Sequence, residues 1–157
     1  MTSVHRLAFA LVCLWLGAMI MLSVVAPAVF TVVGQAQGGQ IMRRLFPFYY
    51  AASLAVPLLA MAMTLPGAMR RRGGVAGFLT LGIAFCTASW NAFVVRPRLG
   101  ALRMAVHEQS GAGDPSLAEA FGRLHVQSVT LLSCLMILAV LYVGLQILAR
   151  PGASPRQ

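Results

Sequence analysis

Four long stretches without a formal charge constrain this chain of 157 residues more than any other feature it has. They cover Leu7 to about Val33, Leu45 to about Met69, Gly73 to Val95, and Leu124 to Ala149, the last unbroken in its apolar part from Val126. A helix needs about 20 apolar residues to cross a hydrocarbon core of about 30 Å, and each stretch supplies them. Strands there would leave backbone groups unpaired in lipid, so helix is the consistent reading. The fold class that follows is all-α: a polytopic membrane protein with four transmembrane helices in an antiparallel bundle. One domain fills residues 1–150, and residues 151–157 read as a disordered tail.

Composition agrees. Hydrophobic residues make up 59% of the chain and charged residues 10%, whereas soluble domains carry about a quarter charged. Lys is absent, so all twelve basic residues are Arg, and with three acids the balance is +9. These Arg residues sit in the gaps between apolar runs, which suits anionic lipid headgroups. No basic stripe with interleaved aromatics is present, and nucleic acid is not an expected partner. Cys13, Cys86 and Cys134 are scattered through apolar runs without ligand spacing and read as small buried hydrophobes.

Local signals refine the helix ends. The first run follows His5 and Arg6 and contains Ala26-Pro27-Ala28, but it exceeds the 7–15 residues of a signal h-region and reads as a retained helix. Pro47 is expected near the start of the second helix, where a missing N–H is harmless. Pro57, in its middle, removes the bond to the Ser53 carbonyl and predicts a kink. After Gly113-Asp114-Pro115, Ser116 and Glu119 form a capping box that starts the fourth helix near Leu117. Leu99 to Gln109 can prolong the third helix past Pro97, giving a helical hairpin outside the bilayer.

Orientation is not decided by totals, because six Arg fall on each side. The cluster Arg70–Arg72 lies in a very short loop, where charge counts most, and predicts that both termini are cytoplasmic.

Alternating spans bring four unusual segments to one membrane face. These are the end of helix one, the start of helix two with Arg43, Arg44, Phe46, Tyr49 and Tyr50, the end of helix three with Trp90 and Asn91, and the start of helix four. The bland account is an interfacial aromatic belt with arginines reaching for phosphates. The functional account is a cationic polar pocket lined by Tyr49, Tyr50, Asn91, Arg96, Arg98, His125 and Ser128, suited to an anionic headgroup, carboxylate or phosphate. His125 and Ser128 share a helical face. No acid accompanies them, so a Ser-His-Asp arrangement lacks its orienting carboxylate.

No Asp or Glu lies in any span, which argues against the carboxylate relay of ion-coupled carriers. His5, His107 and His125 do not offer a bis-His haem site within the bilayer. No cofactor or metal site is expected, and no catalytic residue is assigned. Gly73 and Gly77 form a G-x-x-x-G, repeated as small residues by Ala84 and Ala88, consistent with close helix contact.

WLGAMIMLSVVAPAVF, RRLFPFYY, WNAFVVRPRLGALR and FGRLHVQS, in that order, resemble the transmembrane protein 205-like family, catalogued as domain of unknown function 4149. The resemblance runs from about Leu7 to Leu148. Its specific points are Pro27 and Phe30, Phe46-Pro47-Phe48-Tyr49, Asn91, Pro97-Arg98, and Phe121 with His125 and Ser128. Some relatives carry Gly and Asn where this chain has Val126 and Leu132, so a site built on those residues would be altered here. The resemblance implies a small four-helix membrane fold and no particular activity. The expected role is non-enzymatic: transport, lipid handling or assembly of a membrane complex. Membrane lipids are the expected partners, with a membrane protein or a second copy as the further class. A membrane-embedded redox or haem-linked enzyme using His125 is the alternative.

Overall fold

A computed structural model describes residues 3–68, 74–108 and 115–149. The Arg70–Arg72 cluster, Gly73, the Gly113-Asp114 breaker and the tail at 151–157 lie outside the described residues. Four helices are long and apolar enough to cross a membrane: α1 (Ser3–Gly34), α2 (Ala36–Pro66), α3 (Gly74–Ala105) and α4 (Pro115–Leu148). Helical structure in α3 continues to Glu108. At 1.5 Å per residue each helix is about 45–50 Å long, well beyond the hydrocarbon core. The chain is an integral, multi-pass membrane protein.

The turn between α1 and α2 is far tighter than the sequence suggests. Helical backbone runs from Ser3 to Ala68 except at Gly34, with φ 78° and ψ 170°. That region of backbone space is essentially open to Gly alone. Around it the two helices fold back as a hairpin. Phe30 and Gly38 are equidistant from Gly34 along the chain and touch: a Cβ on Gly38 would lie 2.7 Å from the Phe30 ring. Trp15 and Ser53, also equidistant, share a hydrogen bond. Helix α2 thus starts at Ala36, not near Leu45, and Pro47 falls inside it rather than at its start. Backbone dihedrals stay helical through Pro27, Pro47 and Pro57.

Buried positions recur at alternating steps of four and three residues. On α1 they are Ala8, Val12, Trp15 and Met19; on α2, Ser53, Val56 and Ala60 keep the rhythm, and Thr64 follows after a further four. On α3 the series Gly77, Leu81, Ala84, Ala88, Asn91 and Val95 follows it, and on α4 so do Leu135, Ala139 and Tyr142. A mean step of 3.5 residues keeps one seam facing its neighbours in a left-handed bundle. Small residues on α3 let α4 come close: a Cβ on Gly77 would lie 2.8 Å from Gln146 Nε2 and 3.5 Å from the Tyr142 ring. Lipid tails are as apolar as Leu, so this seam holds by van der Waals fit and hydrogen bonds.

Several serine and threonine hydroxyls within the spans are satisfied one turn back. Thr64 donates to the Ala60 carbonyl at 2.7 Å and Thr80 to that of Ala76 at 2.8 Å. Ser23, Thr87 and Thr130 likewise bond one turn back.

Helix α3 changes pitch at Asn91–Val95, a single π turn closed by the Arg96 N–H donating to the Asn91 carbonyl. Pro97 explains the position. Its ring would crowd the carbonyl of Phe93 and it cannot donate, so a wider turn just before it relieves the contact. The helix continues past Pro97, as the sequence suggests. Helix α4 begins at Pro115 with Ser116 inside its first turn, slightly ahead of the expected start near Leu117.

Candidate functional site

The predicted residues separate into three groups instead of one pocket. The first joins α2 to α3. Phe46, Tyr49 and Tyr50 are neighbours on α2, with ring centroids 5.4 Å apart for the tyrosines and 6.0 Å for Phe46 and Tyr50. Arg96 on α3 lays its guanidinium over the Tyr50 ring, 4.9 Å from the centroid. The ring quadrupole attracts the cation face-on and leaves the N–H edge open. Arg96 is exposed.

A second group joins α3 to α4. Asn91 is only 2% exposed, and its Oδ1 accepts a hydrogen bond from Ser128 Oγ at 3.0 Å. This bond joins two helices and sits at the first residue of the π turn. Its role in the structure is to fix α3 against α4. The third group lies along α4, where His125 stacks on Phe121 with centroids 6.2 Å apart. His125 and Arg98 are both exposed, and among the described residues no hydrogen bond, ion pair or ring contact ties either to the Tyr50–Arg96 pair.

Below these groups sits a polar cluster that sequence reasoning missed. Trp15, 3% exposed, donates through Nε1 to Ser53 Oγ at 3.3 Å. The Tyr49 hydroxyl is buried nearby and makes no hydrogen bond among the described residues. The available signal was the spacing of Tyr49 and Ser53, one turn apart on a face that continues to Val56 and Ala60.

Arg103 adds a contact that the sequence does not reveal. Its guanidinium rests on α2, where a Cβ on Gly39 would lie 3.0 Å from Nη2. Arg43, Arg44, Arg96, Arg98, Arg103 and Arg123 are all exposed at this end of the bundle. Glu119 is bonded to Arg123 at 3.8 Å, an i,i+4 surface pair. No cluster of three or more His, Cys, Asp or Glu side chains with metal-holding geometry occurs among the described residues.

Comparison with known families adds one decisive match, to a domain of unknown function, DUF4149, over residues 10–108. The chain belongs to the DUF4149 family. The match bears out that part of the resemblance and does not extend to the transmembrane protein 205 name. It covers most of α1, all of α2 and α3 with Asn91, Pro97 and Arg98, and stops before α4. Phe121, His125 and Ser128 therefore lie outside the matched DUF4149 segment, whereas the Tyr50–Arg96 pair lies inside it. No curated protein matches the chain, and no solved structure does.

Proposed function

We propose that this DUF4149 protein is a non-enzymatic membrane protein that binds an anionic amphiphile at the arginine-bearing end of its bundle. The observation that carries the reading is Arg96 held over Tyr50 while itself exposed. A guanidinium fixed in this way presents a planar fork that matches phosphate or carboxylate oxygens. The helices that carry it enter the membrane, so the natural ligand is a lipid headgroup and its role is lipid handling. Phe46, Tyr49 and Tyr50 form the aromatic wall of the site, Arg98 adds to the local potential, and Asn91 with Ser128 holds α3 in register. His125, outside this group and stacked only on Phe121, is peripheral to the reading.

Native mass spectrometry of the detergent-purified protein tests this, with phosphatidylglycerol and phosphatidylcholine offered in equal amounts. Retained lipid should be predominantly phosphatidylglycerol. R96A should weaken that retention by about tenfold, equivalent to about 1.4 kcal/mol, with a smaller loss for Y50L and the least for R98A. Equal retention of the two lipids, or an R98A loss as large as that of R96A, overturns the proposal.

A further inference from the structure

On α2, Gly39, Arg43, Phe46 and Tyr50 follow one another at steps of four, three and four residues and so share one helical stripe. On α3, beyond the π turn, Arg96, Gly100 and Arg103 follow at steps of four and three. The two stripes meet at both ends: Arg96 covers Tyr50, and Arg103 reaches Gly39. Between those contacts α3 carries Gly100. Gly100 is exposed, and a Cβ there would meet nothing within 4 Å. Arg43 stands at the middle of the α2 stripe and is exposed. The result is a strip of surface, the α2–α3 groove, that carries Arg96 and Arg103 at its two contacts, Arg43 on its α2 side and the bare Gly100 on its α3 side.

Arg96 and Arg103 are two helical turns apart, about 10 Å along α3, and the residues they touch on α2, Tyr50 and Gly39, are three turns apart, about 16 Å. A single phosphate cannot reach both ends of that row, whereas two phosphoryl groups linked by a short bridge can engage Arg96 and Arg103 together, with Arg43 between them. We infer that the α2–α3 groove is a binding site for a membrane lipid whose headgroup carries two phosphoryl groups. The inference rests on the anionic-amphiphile reading above and specifies its ligand. Charge complementarity favours two phosphates over one, because three arginines line the groove and neither of its two stripes carries an acid. A lipid is favoured over a free anion because the Tyr50 end of the groove continues into α2, which crosses the membrane.

The experiment compares cardiolipin, with two phosphoryl groups, against phosphatidylglycerol, with one, and phosphatidylcholine as the zwitterionic reference. Lipids are titrated individually into the full-length protein and read by native mass spectrometry, with inorganic pyrophosphate as a soluble competitor. Cardiolipin should bind at least tenfold more tightly than phosphatidylglycerol. R43A and R103A should each bring that ratio toward one, whereas R96A should weaken both lipids. Gly100→Leu, placed in open space and favourable to helix, should lower the cardiolipin preference by setting an apolar side chain between Arg96 and Arg103, without shifting the thermal midpoint downward. Equal binding of cardiolipin and phosphatidylglycerol, with both above phosphatidylcholine, overturns the two-phosphoryl inference alone. Failure of either anionic lipid to exceed phosphatidylcholine overturns the underlying reading as well. Pyrophosphate displacing cardiolipin at equal concentration overturns the assignment to a lipid.

Discussion

Replacing Gly34 by Ala tests the hairpin at its most demanding point. A Cβ at Gly34 would meet nothing within 4 Å, so the substitution is sterically free of its neighbours. The cost is confined to the backbone, because φ 78° with ψ 170° disfavours any L side chain by about 1–3 kcal/mol. Gly17→Ala supplies the matched control. Gly17 also has nothing within 4 Å of its would-be Cβ, but its backbone is helical. In water an exposed helical Gly→Ala change would stabilise by up to about 1 kcal/mol. In detergent the unfolded reference retains helix, so the gain shrinks toward zero. Stability should be measured by reversible unfolding in mixed micelles, following the fluorescence of buried Trp15. G34A should lose about 1–3 kcal/mol while G17A is neutral or slightly stabilised. If G34A matches G17A within about 0.5 kcal/mol, the turn is not locked by Gly34 and the argument for a one-residue reversal fails.

Other perturbations follow from the same contacts. Asn91→Leu and Ser128→Ala, combined in a double-mutant cycle, should show a coupling near 0.6 kcal/mol and below about 1.7, the range of such bonds in membranes; zero coupling would remove the bond's assigned role. Gly77→Ala should be mild, because only the end of Gln146 must move, whereas Gly77→Leu should cost about 1–3 kcal/mol by overpacking against Tyr142. Comparable unfolding midpoints for the two Gly77 variants would contradict the close α3–α4 approach. Glu119→Gln breaks an ion pair whose side chains are 70–73% exposed and should leave the thermal midpoint unchanged; a shift of several degrees would show that the pair matters more than its exposure allows.

Fold class was legible because hydrocarbon thickness and backbone hydrogen bonding impose long apolar helices whatever the details of packing. The limits of α2 were not. Glu- or Lys-free but polar residues such as Gln37, Gln40, Arg43 and Arg44 look like a loop in a hydropathy reading, yet they extend the helix outside the hydrocarbon core. Nothing in the sequence forbids helix there, and only Gly34 carries the reversal. Within the candidate site, Asn91 with Ser128 and Tyr50 with Arg96 were legible as members of one end of the bundle. Their division into separate groups was not, because face membership along the chain does not say which neighbour a helix face meets. Arg103 was missed for the same reason: its importance comes from Gly39 on another helix. Trp15 was overlooked because an apolar run hides an indole that also carries a hydrogen-bond donor.

Only 17% of the most apolar stretch of α4 lies inside the protein, and Ile137, Val140, Leu141, Ile147 and Leu148 all face outward. For that helix the acyl chains supply most of the packing that a soluble helix receives from other side chains. Lipid composition then acts on this protein as core substitutions act on a soluble one. Changing chain length or saturation alters the fit around α4 while leaving every residue in place. The surrounding bilayer is, in that sense, the larger part of the interior.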